Sequence, residues 1–193
     1  MTYSDDYKYI FLAVPKTGSR TIQEHLQHHG IRSAKGWDPN HDTYEQVKEK
    51  LGEDKCKEYF TFAFFRNPWA MLISHFFFNK HKHRYPEDKK SVIQWLNTYR
   101  SPDPYVPYLF DKEGNLALDF IGKLEHLNRD FNGVCDRLGL PQPRQTTHIG
   151  KQTPSKRLHY TEYYETPALI NKVRNMFSQS LSVLNYEFGD ADR

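Results

Sequence analysis

The chain has 193 residues, and its 27 Lys and Arg nearly balance 24 Asp and Glu for a formal charge of +3, which excludes a protein that coats nucleic acid by bulk charge. A hydrophobic content of 37% with 15% aromatic residues excludes a disordered segment and suits one folded domain over 1–193. Two cysteines, Cys56 and Cys135, are too few for a disulfide scaffold or a zinc cluster and fit a reducing compartment.

The opening, Met-Thr-Tyr-Ser-Asp-Asp, is acidic, unlike a signal peptide, and no apolar run approaches the roughly 18 residues of a membrane span. A cytoplasmic chain without a membrane span is the expectation. Residues 9–14 form a continuous apolar run that stops at Pro15, the pattern of a parallel strand buried on both faces. A polar turn follows, then a helix over 21–29 with Ile22 and Leu26 four apart and Gly30 as its stop. Residues 36–40 read as loop, and Thr43-x-x-Gln46 opens a capped helix closed by Gly52, so His41 lies just before a helix.

The aromatic run 59–65 reads as a second strand. It breaks at Arg66-Asn67-Pro68, where Asn67 suits a helix cap and Pro68 a first turn. The helix that follows, over 68–79, places Trp69, Leu72, Ile73, Phe76 and Phe77 on a broad apolar face. Residues 80–90 are basic and His-rich, 91–100 form a helix, and 101–107 hold three prolines, which predicts an irregular lid or insertion. A third strand is expected over 116–121, and a helix over 127–138 stopping at Gly139. A long polar loop over 141–160 precedes a last helix that starts at Thr166-Pro167 and turns Leu169, Ile170, Val173, Met176 and Phe177 inward. Strands alternating with helices imply an α/β fold with a mostly parallel central sheet flanked by helices, whose functional edge lies at the carboxyl ends of the strands.

Both polar turns fall on that edge. The first, Pro15-Lys16-Thr17-Gly18-Ser19-Arg20-Thr21, gathers cations, hydroxyls, a glycine and backbone amides at a helix N-terminus, where amides and helix dipole attract a phosphate or sulfate. It is not a Walker A loop, because Lys16 precedes the loop's one glycine instead of following it. The second supplies Arg66 at a strand end and Ser74 two helical turns on, roughly 10 Å along the axis, so an arginine and a hydroxyl could grip one phosphate. Each residue alone is equally well an ordinary helix-end charge or a back-bonded helix serine; the two turns together point to two anion cradles.

These motifs resemble the sulfotransferases that use 3′-phosphoadenosine 5′-phosphosulfate (PAPS), and in particular their carbohydrate and heparan 2-O-sulfotransferase branch. The turn Pro15 to Thr21 is similar to the 5′-phosphosulfate loop, and Phe64-Phe65-Arg66-Asn67-Pro68-Trp69 with Ser74 is similar to the 3′-phosphate site. Residues 120–127, Asp130-Phe131 and the terminal Leu184-Asn185-Tyr186-Glu187-Phe188 add weaker matches, so the likeness spans about 8–188. The family often has an arginine three positions before the serine and an acidic residue beside it; here Met71 and Ala70 occupy those places, a change expected to affect local ion pairing or acceptor contacts more than the phosphate grip.

The resemblance implies a P-loop-like sulfotransferase fold and metal-free transfer of sulfonate from PAPS to a hydroxyl on a carbohydrate or small metabolite, with 3′-phosphoadenosine 5′-phosphate (PAP) as product. It assigns Lys16 to the bridging oxygen, with Thr17, Gly18, Ser19, Arg20 and Thr21 on the 5′-phosphosulfate and Arg66 and Ser74 on the 3′-phosphate. The basic loop with Lys151, Lys156 and Arg157 would close over the nucleotide. The acceptor's proton needs a base, and an imidazole has a suitable ordinary pKa; His41 lies where the branch carries its histidine, with His75 as competitor. His81 and His83 lack a carboxylate or cysteine partner nearby in sequence and read as exposed. Two other readings are a P-loop-related nucleotide kinase, which needs a magnesium-binding carboxylate where this chain has Arg66, and an inactive module that binds nucleotide or sulfated glycan. The aromatic segments 80–85 and 99–110 could wall an acceptor, and the sequence leaves both acceptor and oligomeric state open.

Overall fold

A strand apolar at every position needs cover on both faces, and the sheet of this protein meets that need. The computed structural model describes residues 1–28, 41–79, 86–142 and 157–190. In chain order they form β1 (Thr2–Ser4), β2 (Tyr9–Leu12), α1 (Ser19–His28), α2 (Tyr44–Leu51), α3 (Glu53–Glu58), β3 (Phe60–Phe65) and α4 (Pro68–Phe78). After these come α5 (Lys89–Thr98), α6 (Val106–Leu109), β4 (Phe120–Lys123), α7 (Leu127–Leu138), α8 (Pro167–Met176) and α9 (Ser178–Leu184), with short 3₁₀ turns at Leu124–His126 and Tyr160–Tyr163. The chain divides into two compact units, Met1–Phe65 with Tyr105–Lys151, and Arg66–Pro104 with Gln152–Arg193.

The first unit holds a four-stranded sheet in the order β1-β2-β3-β4. β2, β3 and β4 run parallel, with Leu12 opposite Ala63 and Phe65 opposite Lys123, and β1 pairs antiparallel to β2. Tyr9, Phe11, Ala13, Phe62 and Phe64 bury one face against Ile22 and Leu26 of α1 and Leu127, Phe131, Val134 and Cys135 of α7. By alternation Ile10, Leu12, Val14, Ala63 and Phe65 fill the other face, all buried, with Phe65 edge-on to Tyr105 at 5.1 Å. Parallel pairing also places the chain segments that leave β2 and β3 at one edge of the sheet.

The expected third strand is displaced. β4 begins at Phe120, and Leu116, half exposed at 50%, belongs to an isolated bridge with Phe110 instead. The cause is Asp111, whose carboxylate accepts from the Asn115 amide at 2.7 Å and closes a turn that bends the preceding chain away. β1 and α3 have no counterpart in the sequence reading. Of the expected insertion over 101–107, the end is helical, because α6 takes Pro107 into its first turn, where a missing N–H costs nothing. The expectations for Gly30, 36–40 and 80–85 fall outside the described residues.

Gly122 is fixed by its neighbour, since a Cβ there would sit 2.4 Å from the Phe64 ring, which Phe62, Phe120 and Phe131 hem in. Gly122→Ala is therefore expected to destabilise by about 1–3 kcal/mol through overpacking, read as a lower urea midpoint at unchanged slope.

In the second unit Asn67 caps α4, its side-chain oxygen accepting from the amides of Trp69 at 3.1 Å and Ala70 at 3.4 Å. Trp69 is fully buried, its indole N–H donating to the Ile170 carbonyl at 3.1 Å and its own carbonyl accepting from Tyr164 Oη at 2.9 Å. The Asn67 amide group donates to the Glu187 carbonyl at 2.9 Å, and Phe188 packs edge-on against Trp69, Tyr160 and Tyr164. Thr166 caps α8 as the sequence implied, and Leu169, Val173 and Phe177 are buried, whereas Ile170 and Met176 are half-buried.

Candidate functional site

In the first unit β2 leads into a turn that reverses direction within a few residues. Lys16 (φ 66°) and Gly18 (φ 77°) both occupy the left-handed region, which costs an L residue roughly 1–2 kcal/mol but glycine nothing. A Cβ on Gly18 would also lie 2.7 Å from Leu124 Cδ1, a methyl at the end of a flexible side chain, so it is the backbone angle that requires glycine. Thr17 is fully buried, and its hydroxyl donates to the Val14 carbonyl at 2.9 Å. That proton is committed to holding the turn, so the contribution of Thr17 to an anion falls to its backbone amide. The Thr21 amide donates to the Gly18 carbonyl at 3.0 Å, while the amides of Ser19 and Arg20 precede any carbonyl of α1 that they could reach. The first turn of α1 carries no acidic residue, which leaves its positive end uncompensated by a carboxylate of its own. Ser19 and Thr21 are buried, and Arg20 is exposed.

The same unit brings His41 to this turn. The His41 imidazole is exposed, and its Nδ1 lies 2.6 Å from the carbonyl oxygen of Ala13, the second residue before Pro15. A carbonyl only accepts, so Nδ1 carries the proton, and in the neutral ring Nε2 keeps its lone pair. That is the tautomer a general base requires. Tyr108 Oη donates to the His41 carbonyl at 2.8 Å, and the buried carboxylate of Asp42, the next residue, pairs with Lys50 Nζ at 2.5 Å. Thr43 then starts α2, its amide donating to Gln46 Oε1 at 2.9 Å in the reciprocal pattern the sequence predicted.

The second unit gathers the other candidates. Arg66 immediately precedes the Asn67 cap of α4, and Ser74 lies on α4, half-buried, three residues before Phe77. The Arg157 guanidinium covers the Phe77 ring at 4.3 Å from its centroid. Burial, chiefly, pulls the Arg157 pKa down; the like charge of Arg66 adds to that, and Glu87 and Tyr163 oppose it. The two guanidinium groups lie within electrostatic range of each other, and Ser74 and Phe77 stand about one turn apart on α4. Lys151 and Lys156 fall outside the described residues, as do His81 and His83. His75 stacks on Trp95 at 6.0 Å and lies 3.1 Å from the Asn79 side-chain nitrogen, a packed position. Ala70 and Met71 are both buried, at 1% and 5% exposure, and pack inside the unit.

A family model described as "Sulfotransferase family" matches residues 1–108, more than half of the chain. The chain belongs to the sulfotransferase family. An uncharacterized protein of Archaeoglobus fulgidus is similar to it, 29% identical over 103 residues that cover 50% of this chain and 81% of that protein. The matched span of this sulfotransferase includes both phosphate-type turns and His41, and residues of each unit.

Among the described residues no group of three or more His, Cys, Asp or Glu is placed to hold a metal ion, and no helix is long and apolar enough to cross a membrane. A cleft of about 700 Å³ in the second unit is lined by Arg100, Ser101, Pro102, Lys172, Asn175 and Met176, none of them a candidate above. Sequence reasoning missed the Ala13 carbonyl and Tyr108 as partners of His41. A backbone carbonyl has no sequence signature, and a tyrosine 67 positions away carries no spacing signal.

Proposed function

We propose that this sulfotransferase transfers sulfonate from PAPS to a hydroxyl of a carbohydrate or small metabolite, as one domain over 1–193 of P-loop-like design and closest in kind to the 2-O-sulfotransferase branch. The observation that carries the proposal is His41 bound through Nδ1 to the carbonyl of Ala13, two residues before the turn that begins at Pro15, which leaves Nε2 unprotonated in the neutral ring. In this reading His41 Nε2 takes the acceptor's proton as the acceptor oxygen bonds to sulfur and the bond from sulfur to the bridging oxygen breaks. Lys16 neutralises the charge that grows on that bridging oxygen, and the amides over 17–21, with Ser19, Arg20 and Thr21, hold the 5′-phosphosulfate. Arg66, Ser74 and Arg157 hold the 3′-phosphate, with Lys156 joining them from the basic loop. Cys56 and Cys135 are both free and buried, and burial pushes the Cys135 thiol up to about 11, in keeping with a cytoplasmic setting.

Calorimetric titration tests the donor class. PAP is expected to bind without magnesium and more tightly than ATP with magnesium, because the chain offers cations where a kinase needs a metal-binding carboxylate. Tighter, magnesium-dependent binding of ATP would overturn the proposal.

A further inference from the structure

An exposed imidazole on an unsupported chain exchanges rotamers and tautomers freely, and a free neutral histidine prefers its proton on Nε2. His41 is exposed, yet the structure holds it in the opposite tautomer at 2.6 Å from Ala13. Something must fix the backbone from which the ring reaches. Asp42, buried and paired with Lys50, anchors the following residue. In the peptide that joins the two, Tyr108 donates its hydroxyl to the carbonyl of His41 itself.

We propose that Tyr108 is a positioning residue for His41, clamping its main chain so that the imidazole stays on Ala13 with Nε2 unprotonated; this rests on the reading of His41 as the base. The geometry gives the clamp a rigid foundation. Tyr108 lies in α6, where its amide donates to the Tyr105 carbonyl at 3.0 Å, and Tyr105, 1% exposed, packs edge-on to Phe65 at the end of β3. Ala13 continues β2, which pairs directly with β3. His41 is thus fastened twice to one sheet edge, by its ring to the β2 side and by its backbone to the β3 side. A single anchor would leave the ring free to pivot about it; two anchors, one on the residue that follows β2 and one on α6, define both position and direction. Burial, and secondarily the nearby Asp42 carboxylate, push the Tyr108 phenol up to about 12, so it remains a donor wherever histidine titrates.

The test reads the tautomer itself and needs no acceptor. The full chain labelled with ¹⁵N-histidine is studied by NMR at about pH 8, where an ordinary imidazole is neutral, and the His41 signals are identified by their loss in His41→Gln. The wild type is expected to show a protonated Nδ1 and a bare Nε2. Tyr108→Phe keeps the ring that fills the site and removes one O–H, so the His41 signals are expected to move toward the Nε2–H pattern while PAP affinity and melting temperature stay close to wild type. An unchanged Nδ1–H pattern in Tyr108→Phe overturns the positioning role and leaves His41 as base intact. A wild type already in the Nε2–H form removes the base reading itself.

Discussion

His41→Ala is expected to lower sulfonate transfer by about 10²–10⁴, the usual worth of a positioned general base, while PAP affinity changes less than about twofold. The split follows from geometry, since among the described residues the hydrogen bond recorded for the imidazole is the one from Nδ1 to the Ala13 carbonyl, which leaves Nε2 unprotonated in the neutral ring. The melting temperature should barely move, because an exposed ring contributes little buried apolar area and its one hydrogen bond is worth about 1 kcal/mol. Turnover is measured with labelled PAPS across a panel of alcohols that includes monosaccharides and phenols. Near-normal transfer by His41→Ala would remove the residue from the mechanism, whatever the acceptor.

Lys16 offers the second large effect, and a pair of variants separates its charge from its backbone. Lys16→Met deletes the ammonium and keeps the left-handed conformation, whereas Lys16→Gly deletes both the charge and the strain of φ 66°. Both are expected to lose about 10²–10³ in turnover, the cost of removing one group that stabilises developing charge. Stability should diverge. Relief of roughly 1–2 kcal/mol of strain outweighs the roughly 0.5–1 kcal/mol of backbone entropy that glycine adds to the unfolded chain, so Lys16→Gly melts at or above the wild-type temperature. Retention of transfer within about tenfold of wild type by Lys16→Met would show that the ammonium does not act on the leaving oxygen. A non-glycine residue held at this angle, at the turn where the proposed mechanism uses the lysine, is the kind of strain that function retains at the expense of stability.

Local chemistry made much of the fold legible. Asn67-Pro68 starts α4, Thr43-x-x-Gln46 starts α2 and Gly139 (φ 65°) ends α7, because caps and left-handed stops act within a few residues of the chain. The continuous apolar runs of β2 and β3 likewise required a sheet covered on both faces. The start of β4 was displaced because a hydrogen-bonded turn at Asp111 took Leu116 away, and apolar content alone does not reveal which neighbour a segment will pair with. β1 was hidden because a three-residue edge strand has too short a pattern to register.

The sequence by itself determined the kinds of groups this sulfotransferase possesses: a lysine and a glycine in a strand-to-helix turn, an arginine at a second strand end, a histidine ahead of a capped helix. Order and residue type suffice for that, since each motif is completed within a handful of neighbouring positions. Only the tertiary structure decided which atom of each group is committed and which is available. It turned the Thr17 hydroxyl to the Val14 carbonyl, set Arg157 over Phe77, put His41 Nδ1 on the Ala13 carbonyl and brought the Tyr108 hydroxyl to the carbonyl of His41. The physical reason is that a donor or acceptor is defined by its partner, and these partners are brought up by sheet pairing and packing from chain positions that sequence spacing does not connect.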